Sequence, residues 1–506
     1  MTNYRWVICA MLFFATFVNY MDRQVLSLTW EGFIGPEFHW TNKHYGLITG
    51  LFSLFYAVSM LFAGKFVDWM GTKKGFLWAI GIWSVGALMH AFCGIATSGI
   101  VAGTWFVGFE GAKDTILAVG NTGLVINVSV TLFIFSRFVL ALGEAGNFPA
   151  AIKATAEYFP KKDRAFSTSV FNAGSTIGAL AAPLCIPLLA QNWGWEMSFI
   201  IIGALGFIWM GFWVFIYKKP EEHPKVNKAE LEYILSDQEE KNTLTSGKEK
   251  VPFAKCFKYR QTWAFAFGKF MTDGVWWFFL FWMPAYLSQV YGLKLNDPND
   301  SRGMIALAVL YAIVMLSLYG GKLPTIIINK TGKDPYAARM QAMLIFAFFP
   351  LLALLAQPLG HISYWVPVVI IGIAGAAHQS WSANIFSTVG DMFPKKAIAT
   401  ITGIGGMAGG IGSLIINFGS GMLFDYSEKH WTTLQGGIKL LEKYPQYING
   451  KLPEGFVKSL EGTGELISSG INTGYMIIFS ICAVAYLIGW IVMKSLVPKY
   501  KPITDL

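Results

Sequence analysis

Charge is scarce in this chain: Asp, Glu, Lys and Arg make up only 14% of its 506 residues, against about 25% in soluble globular proteins. So little charge excludes a molecule that meets water on every side. Cysteine is scarce as well. Cys9, Cys93, Cys185 and Cys482 fall in apolar stretches and Cys256 in a charged one. None is placed for a disulfide outside the cell, and no CxxC pair points to a metal. Catalytic patterns are missing too: the apolar stretches hold neither HExxH nor a nucleophile with its base, so neither an enzyme nor a cofactor is expected.

What the chain has is oil. Hydrophobic residues reach 54% and aromatics 16%, with a mean hydropathy of +0.48. Apolar stretches of the roughly 20 residues that a helix needs to span a bilayer recur at 6–29, 45–67, 74–97, 127–158, 166–190, 195–217, 261–289, 303–328, 337–357, 362–390, 397–424 and 472–495. They lack the alternation of barrel strands. The expectation is an all-α integral membrane protein with twelve transmembrane helices. The first stretch is too long for a signal peptide and carries Asp22 and Arg23 inside it, so it reads as a retained helix.

Lys and Arg favour cytoplasmic connections. Lys73 and Lys74, Lys161, Lys162 and Arg164, the segment Lys218 to Arg260, Lys330 and Lys333, and Lys395 and Lys396 all fall on one side, whereas the short loops opposite hold only Lys43, Lys294 and Arg302. This predicts a multi-pass protein of the cytoplasmic (inner) membrane with both termini in the cytoplasm. The net charge of +9 is then largely a topology signal, and no nucleic acid partner is needed to explain it.

The one long charged interval, 218–260, divides the chain into an N-terminal part (1–217) and a C-terminal part (261–506). It reads as a solvated cytoplasmic linker in which KAELEYIL can form a short amphipathic helix. The tetrapeptide FPKK occurs at Phe159 to Lys162 and again at Phe393 to Lys396, each time before a glycine-rich helix, which points to an internal duplication. After the second stretch comes Gly64-x3-Asp68-x2-Gly71-x-Lys73-Lys74. Gly64 allows close helix approach, Asp68 can sit at a neighbouring helix end, and Gly71 turns the chain. Asn329, Gly332 and Lys333 look like its degenerate copy. In a duplicated twelve-helix chain these landmarks resemble the major facilitator superfamily. The resemblance implies two pseudo-symmetric six-helix bundles around a central cavity that opens alternately to each side.

Charges inside such helices cost about 2.5–3.5 kcal/mol each on insertion scales, so they are rare unless paired or facing water. This chain keeps Asp22 and Arg23, Arg137 and Glu144, and Lys269 and Asp273. They either pair to hold helices together or serve transport, and Lys269 and Asp273 are spaced for a local pair. Ala141, Gly143, Ala145 and Gly146 around Glu144 permit close packing. Carboxylates beside guanidiniums can exchange protons, and a guanidinium can clamp a carboxylate with two bonds.

NYMDRQ (19–24), RFVLALGEAGNFP (137–149), TDGVWWFFLFWMPAYL (272–287) and AHQSWSANIFSTVGDMFPKK (377–396) resemble the anion:cation symporters, in particular hexuronate transporters. This implies import of a sugar acid, such as galacturonate or glucuronate, together with protons. By the resemblance Asp22 and Glu144 carry protons, Arg23 and Arg137 contact the carboxylate or its paired acids, and Tyr20 and Tyr56 face substrate. Lys269 is the charged group the seventh helix offers. Further polar side chains in apolar spans are Asn172 and Ser175, and His378, Gln379, Trp381 and Asn384. They either bind sugar hydroxyls and the ring or bond other helices. Trp276, Trp277 and Trp282 read as packing or interfacial belt.

In the empty carrier Arg137 is expected to pair with Asp22, with Glu144 unpaired and Arg23 awaiting substrate. The expected partners are a small organic anion, protons and the lipid bilayer, and the expected state is a monomer. Alternatives are carriage of an aldonate, glucarate or phosphate ester, or anion exchange. Two long external loops, 95–126 and 425–474, read as surface caps.

Overall fold

The computed structural model describes residues 2–236, 253–447, 452 and 456–503. It is a bundle of long helices. α1 (Tyr4–Thr29) runs on through a π-helical turn (Trp30–Ile34) into Gly35–Phe38. α2 is Asn42–Met70 and α3 is Thr72–Ala91, the latter continued at a 50° bend by Cys93–Ala102. α4 comprises Thr122–Glu144 and Asn147–Tyr158. It breaks where Pro149 has no N–H to give to the carbonyl one turn back. α5 (Lys161–Trp193) and α6 (Trp195–Ile216) follow. Beyond the linker come α7 (Arg260–Tyr291) and α8, which is broken into Arg302–Val314, Ser317–Gly320 and Leu323–Thr331. α9 (Pro335–Phe348) continues to Leu359, and α10 (Trp365–Met392), α11 (Lys395–Trp431) and α12 (Gly470–Leu496) complete the set.

Among the described residues nine helices are long and apolar enough to cross a membrane, or ten if the bent α3 is one span. The two expected spans outside that number are α7 and α8. Lys269, Asp273 and the tryptophans dilute the apolarity of α7, and α8 is interrupted after Val314. The duplicated FPKK folds the same way twice. Pro160 (φ −63°, ψ 156°) and Pro394 (φ −62°, ψ 148°) cap α5 and α11 in nearly identical extended geometry.

α1 packs on α5 and α6, α4 on α2 and α3, and α3 on α6; α7 packs on α11 and α12, and α10 on α8 and α9. Joining these groups, α2 lies along α11, α5 meets α8 and α1 meets α7. α2 and α11 approach closely at Gly421, where a Cβ would strike the Asn42 carbonyl.

The long loops are structured. α3 continues to Ala102, Phe109–Ala118 is a further helix and α4 starts at Thr122, so the first loop is shorter than expected. α11 extends to Trp431 and α12 starts at Gly470, which narrows the second loop in the same way. Between them Thr433–Leu434 pairs antiparallel with Leu466–Ser468 over a small core of Leu434, Leu440, Val457 and Leu460. This is a cap with its own packing. The parts of that loop and of the linker at 448–451, 453–455 and 237–252 lie outside the described residues.

The linker is not merely solvated. KAELEYIL is helical as expected (Lys228–Leu235), but Glu230 on it is fully buried. Its carboxylate accepts from the Tyr4 and Arg5 backbone N–H groups, both at 3.1 Å, from Arg5 Nη1 at 3.2 Å and from Thr2 Oγ1 at 2.6 Å. A negative charge at the first turn of α1 meets unpaired N–H groups and the positive end of the helix dipole, so this part of the linker is docked.

The glycine and acid motif after α2 departs partly from expectation. Gly71 turns the chain at φ +76°. Asp68 pairs with Lys153 Nζ at 2.9 Å rather than with a helix end, and Gly64 faces open space.

Candidate functional site

The middle of α1 meets α2, α4 and α7 around one guanidinium. Arg23 donates from Nε (2.9 Å) and Nη2 (2.6 Å) to the same oxygen of Glu144. Both residues are buried, at 2% and 0% exposure. Aromatic rings surround the cation: Tyr56 with its centroid 4.6 Å away, Trp277 at 4.8 Å, Tyr20 at 5.1 Å and Phe52 at 5.9 Å. Each desolvated cation–π contact can add about 2 kcal/mol. The rings and the carboxylate together replace the water that the charge has lost.

Phe52 has a second guanidinium on it, that of Arg137 at 5.0 Å. Arg137 Nε and Nη1 have no hydrogen-bond partner among the described residues, and neither oxygen of Asp22 has one. The two charges act on one another through space without a bond. The expected Arg137–Asp22 pair is therefore corrected: Glu144 holds Arg23, while Asp22 and Arg137 stand unbonded. The reason lies in packing. α4 comes hard against α3, where a Cβ on Gly143 would strike the Trp83 backbone, and this seating presents Glu144 to Arg23.

A second cluster lies on α7, α10 and α12. Lys269 Nζ and Asp273 pair at 2.8 Å along α7, with the ammonium 4.2 Å from the Phe386 ring centroid. His378 Nδ1 meets the Tyr486 hydroxyl at 2.6 Å and stacks on Trp276 with centroids 5.3 Å apart. Trp381 is fully buried, edge-on to Tyr486. Asn384 Nδ2 donates to the Ser380 carbonyl at 2.8 Å and Gln379 is half-buried. On α5, Ser175 Oγ donates to the Asn172 carbonyl at 2.6 Å, and Asn172 itself is exposed.

The structure thus brings Tyr20, Arg23, Tyr56 and Glu144 together, with Asp22 and Arg137 beside them. Lys269, His378, Trp381 and Asn384 belong to the second cluster. Neighbouring rings join the two sets, since Trp276 stacks on His378 and Trp277 faces Arg23. Trp277 packs as expected, on Phe52, Tyr56 and Phe281, and its face toward Arg23 is an addition to that reading; Trp282 packs too, donating to Asn417 Oδ1 at 3.1 Å. The sequence reading also passed over Phe52, Tyr486, Asn19 and Asn147. Both asparagines are fully buried, and a buried amide in a helix long enough to span a membrane is itself a signal.

At the end of the molecule that bears the cap, polar contacts tie the first six helices to the last six. Ser288 Oγ donates to Glu31 at 2.6 Å, Gln289 Nε2 to Asn42 Oδ1 at 2.8 Å, Tyr45 OH to the Phe281 carbonyl at 2.7 Å and Asn296 Nδ2 to the Gly32 carbonyl at 2.9 Å. Asp425 accepts the Asn42 and Lys43 N–H groups, each at 3.1 Å, and so caps α2. A cavity of about 500 Å³ lies at this end, between the helix ends and the cap, away from Arg23.

Long apolar helices with buried charges at their mid-length define a multi-pass membrane protein. The profile of the Major Facilitator Superfamily matches residues 12–416, and the chain belongs to that superfamily. Over 425 residues it is 27% identical to the "Hexuronate transporter" of Escherichia coli (strain K12), covering 83% of this chain and 88% of the relative. It is 27% identical over 293 residues to the "Galacturonate transporter" of Dickeya chrysanthemi, covering 58% and 74%. Among solved structures, it is similar to a bacterial homolog of the human lysosomal transporter Spinster in an inward-facing and occupied conformation, with TM-score 0.66, 18% identity and full coverage of both chains. A D-xylose-proton symporter gives TM-score 0.59 at 14% identity, with 99% of each chain covered.

Proposed function

We propose that this protein imports a sugar acid, a hexuronate such as galacturonate or glucuronate, by proton symport and alternating access. In this reading the chain crosses the inner membrane twelve times as two six-helix bundles, 1–217 and 261–506, joined by the linker 218–260. Both termini are cytoplasmic and the cap is external. The polar contacts at the cap end then close the external gate.

The observation that carries the reading is the caged Arg23–Glu144 pair. With Glu144 ionised, the guanidinium is occupied. Protonating Glu144 removes its charge and frees the fork of Arg23 for the substrate carboxylate, which takes the same two-bond geometry. Proton and anion thus load together, and the site stays electrically matched while the cavity closes. Asp22, beside the free N–H groups of Arg137, is the second proton-carrying acid. Tyr20, Tyr56, Asn172, Ser175, Gln379 and Asn384 offer partners to sugar hydroxyls, and Trp277 and Trp381 offer apolar walls. Lys269 is already neutralised by Asp273, so α7 does not offer the matching second arginine of the symmetric pair that a phosphate dianion favours, which disfavours a phosphate ester. Relatives named for galactarate and D-glucarate keep the diacids in the test. A panel of sugar acids competing for pH-driven uptake into proteoliposomes decides among them. Hexuronates are expected to compete best, and uptake indifferent to every sugar acid would refute the reading.

A further inference from the structure

We propose that Asn19 and Asn147 hold a water-lined proton path between Glu144 and the end of the carrier that bears the N-terminus, separate from the substrate cavity. The inference rests on the reading of Glu144 as a proton-carrying group.

Two routes lead away from the Arg23–Glu144 pair. On one side stand Tyr20, Tyr56 and Trp277, all half-buried and all with their rings against the guanidinium; in the reading above these side chains serve the substrate. On the other route lie amides. Asn19 is one helical turn before Arg23 on α1, and Asn147 is one turn after Glu144, at the start of the second segment of α4. The two helices run in opposite directions, so both amides fall on the same side of the ion pair, toward the N-terminus. α1 and that segment of α4 pack against each other.

Both asparagines are fully buried. Neither the oxygen nor the nitrogen of either amide has a hydrogen-bond partner among the described residues. Glu144 Oε1, the carboxylate oxygen that Arg23 does not hold, is in the same condition. Two turns beyond Asn147 on the same segment, Thr155 Oγ1 is buried and also without a partner. Buried amides are costly unless bonded, and buried water commonly supplies the bonds in folded proteins. The charged groups facing this place are Glu144, Arg23, Asp22 and Arg137; midway along the segment Lys153 is paired with Asp68, and near its end Glu157 accepts from the Thr72 and Tyr217 hydroxyls.

In the step itself the O–H bond of the Glu144 carboxyl breaks and its proton bonds to a water between the amides. The excess proton passes from water to water toward Thr155. The carboxylate left behind takes back Arg23. Asn19 and Asn147 orient the waters and neither gains nor loses a proton, so both are positioning residues.

The test follows hydrogen/deuterium exchange at the Glu144 carboxyl by infrared spectroscopy, alongside pH-driven uptake and substrate counterflow, in the full-length protein. Asn147→Leu is expected to slow carboxyl exchange and pH-driven uptake by about tenfold or more while counterflow and substrate affinity stay within about twofold of wild type. Asn147→Ser, small enough to leave room for water, should recover both rates, and Asn19→Leu on the facing helix should act like Asn147→Leu. Unchanged carboxyl exchange in both leucine variants would overturn the path. So would a loss of counterflow equal to the loss of pH-driven uptake, which would mark a packing or substrate-contact role. Slowed carboxyl exchange in a protein whose wild type shows no pH-driven uptake would support the path and refute the symport reading.

Discussion

Arg23 and Glu144 carry the sharpest expectations at the scale of the residue. Glu144→Gln keeps the shape but removes the charge, so pH-gradient-driven accumulation should disappear while exchange between pre-loaded compartments persists, because exchange needs no net proton release. Measuring both modes in one vesicle preparation checks this. Arg23→Lys retains charge but loses the planar fork that places two N–H groups on one carboxylate oxygen. Substrate affinity should fall by about tenfold or more, read by competition binding. Removing one partner of a buried pair costs about 3–5 kcal/mol, so a thermal-stability cycle on Arg23→Gln and Glu144→Gln should show strong coupling. The same cycle on Asp22→Asn and Arg137→Gln should show clearly less, since no bond joins them. Every one of these residue types and spacings was legible in the chain. Which acid meets which guanidinium was not, because partner choice depends on how deeply α4 seats against α3.

Among elements, the linker helix is the surprise. Composition marked 218–260 as charged and therefore solvated, yet Glu230 is enclosed at the first turn of α1. Glu230→Gln keeps the volume and loses the charge, with an expected loss of about 1.5–3 kcal/mol of stability, read as a lowered midpoint of thermal unfolding. An unchanged midpoint would mean that the contact contributes nothing. The helix KAELEYIL itself could be read from its pattern, whereas its docking could not, since the receiving N–H groups belong to a segment over 220 residues earlier. α4 teaches the same lesson. Its apolar run reads as one helix, and the break beside Glu144 follows from Pro149, a local cause that apolarity alone overlooks.

For the whole molecule, the contacts at the cap end are, in the proposed reading, what must break for the carrier to open outward. Asn42 and Gln289 lie on helices from opposite parts of the chain, with their side chains 2.8 Å apart. Replacing both by cysteine and bridging them with a short, reducible bis-thiosulfonate cross-linker should therefore lock that end and stop uptake, and reduction should restore it. Uptake that continues after verified cross-linking would show that the cap end does not have to open.

The sequence by itself determined the solvent, the helical class, most of the long helices, the duplicated FPKK landmarks and the polar residues that lipid cannot hold unpartnered. Those follow from transfer free energies and from local backbone rules, which each segment carries within itself. Only the tertiary structure decided that Arg23 rather than Arg137 holds an acid, that Trp277 faces that cation, that Glu230 caps α1 and that polar contacts cross the cap end. These are contacts between residues far apart in the chain, and their selection depends on how whole helices seat against one another, with tolerances smaller than a side chain.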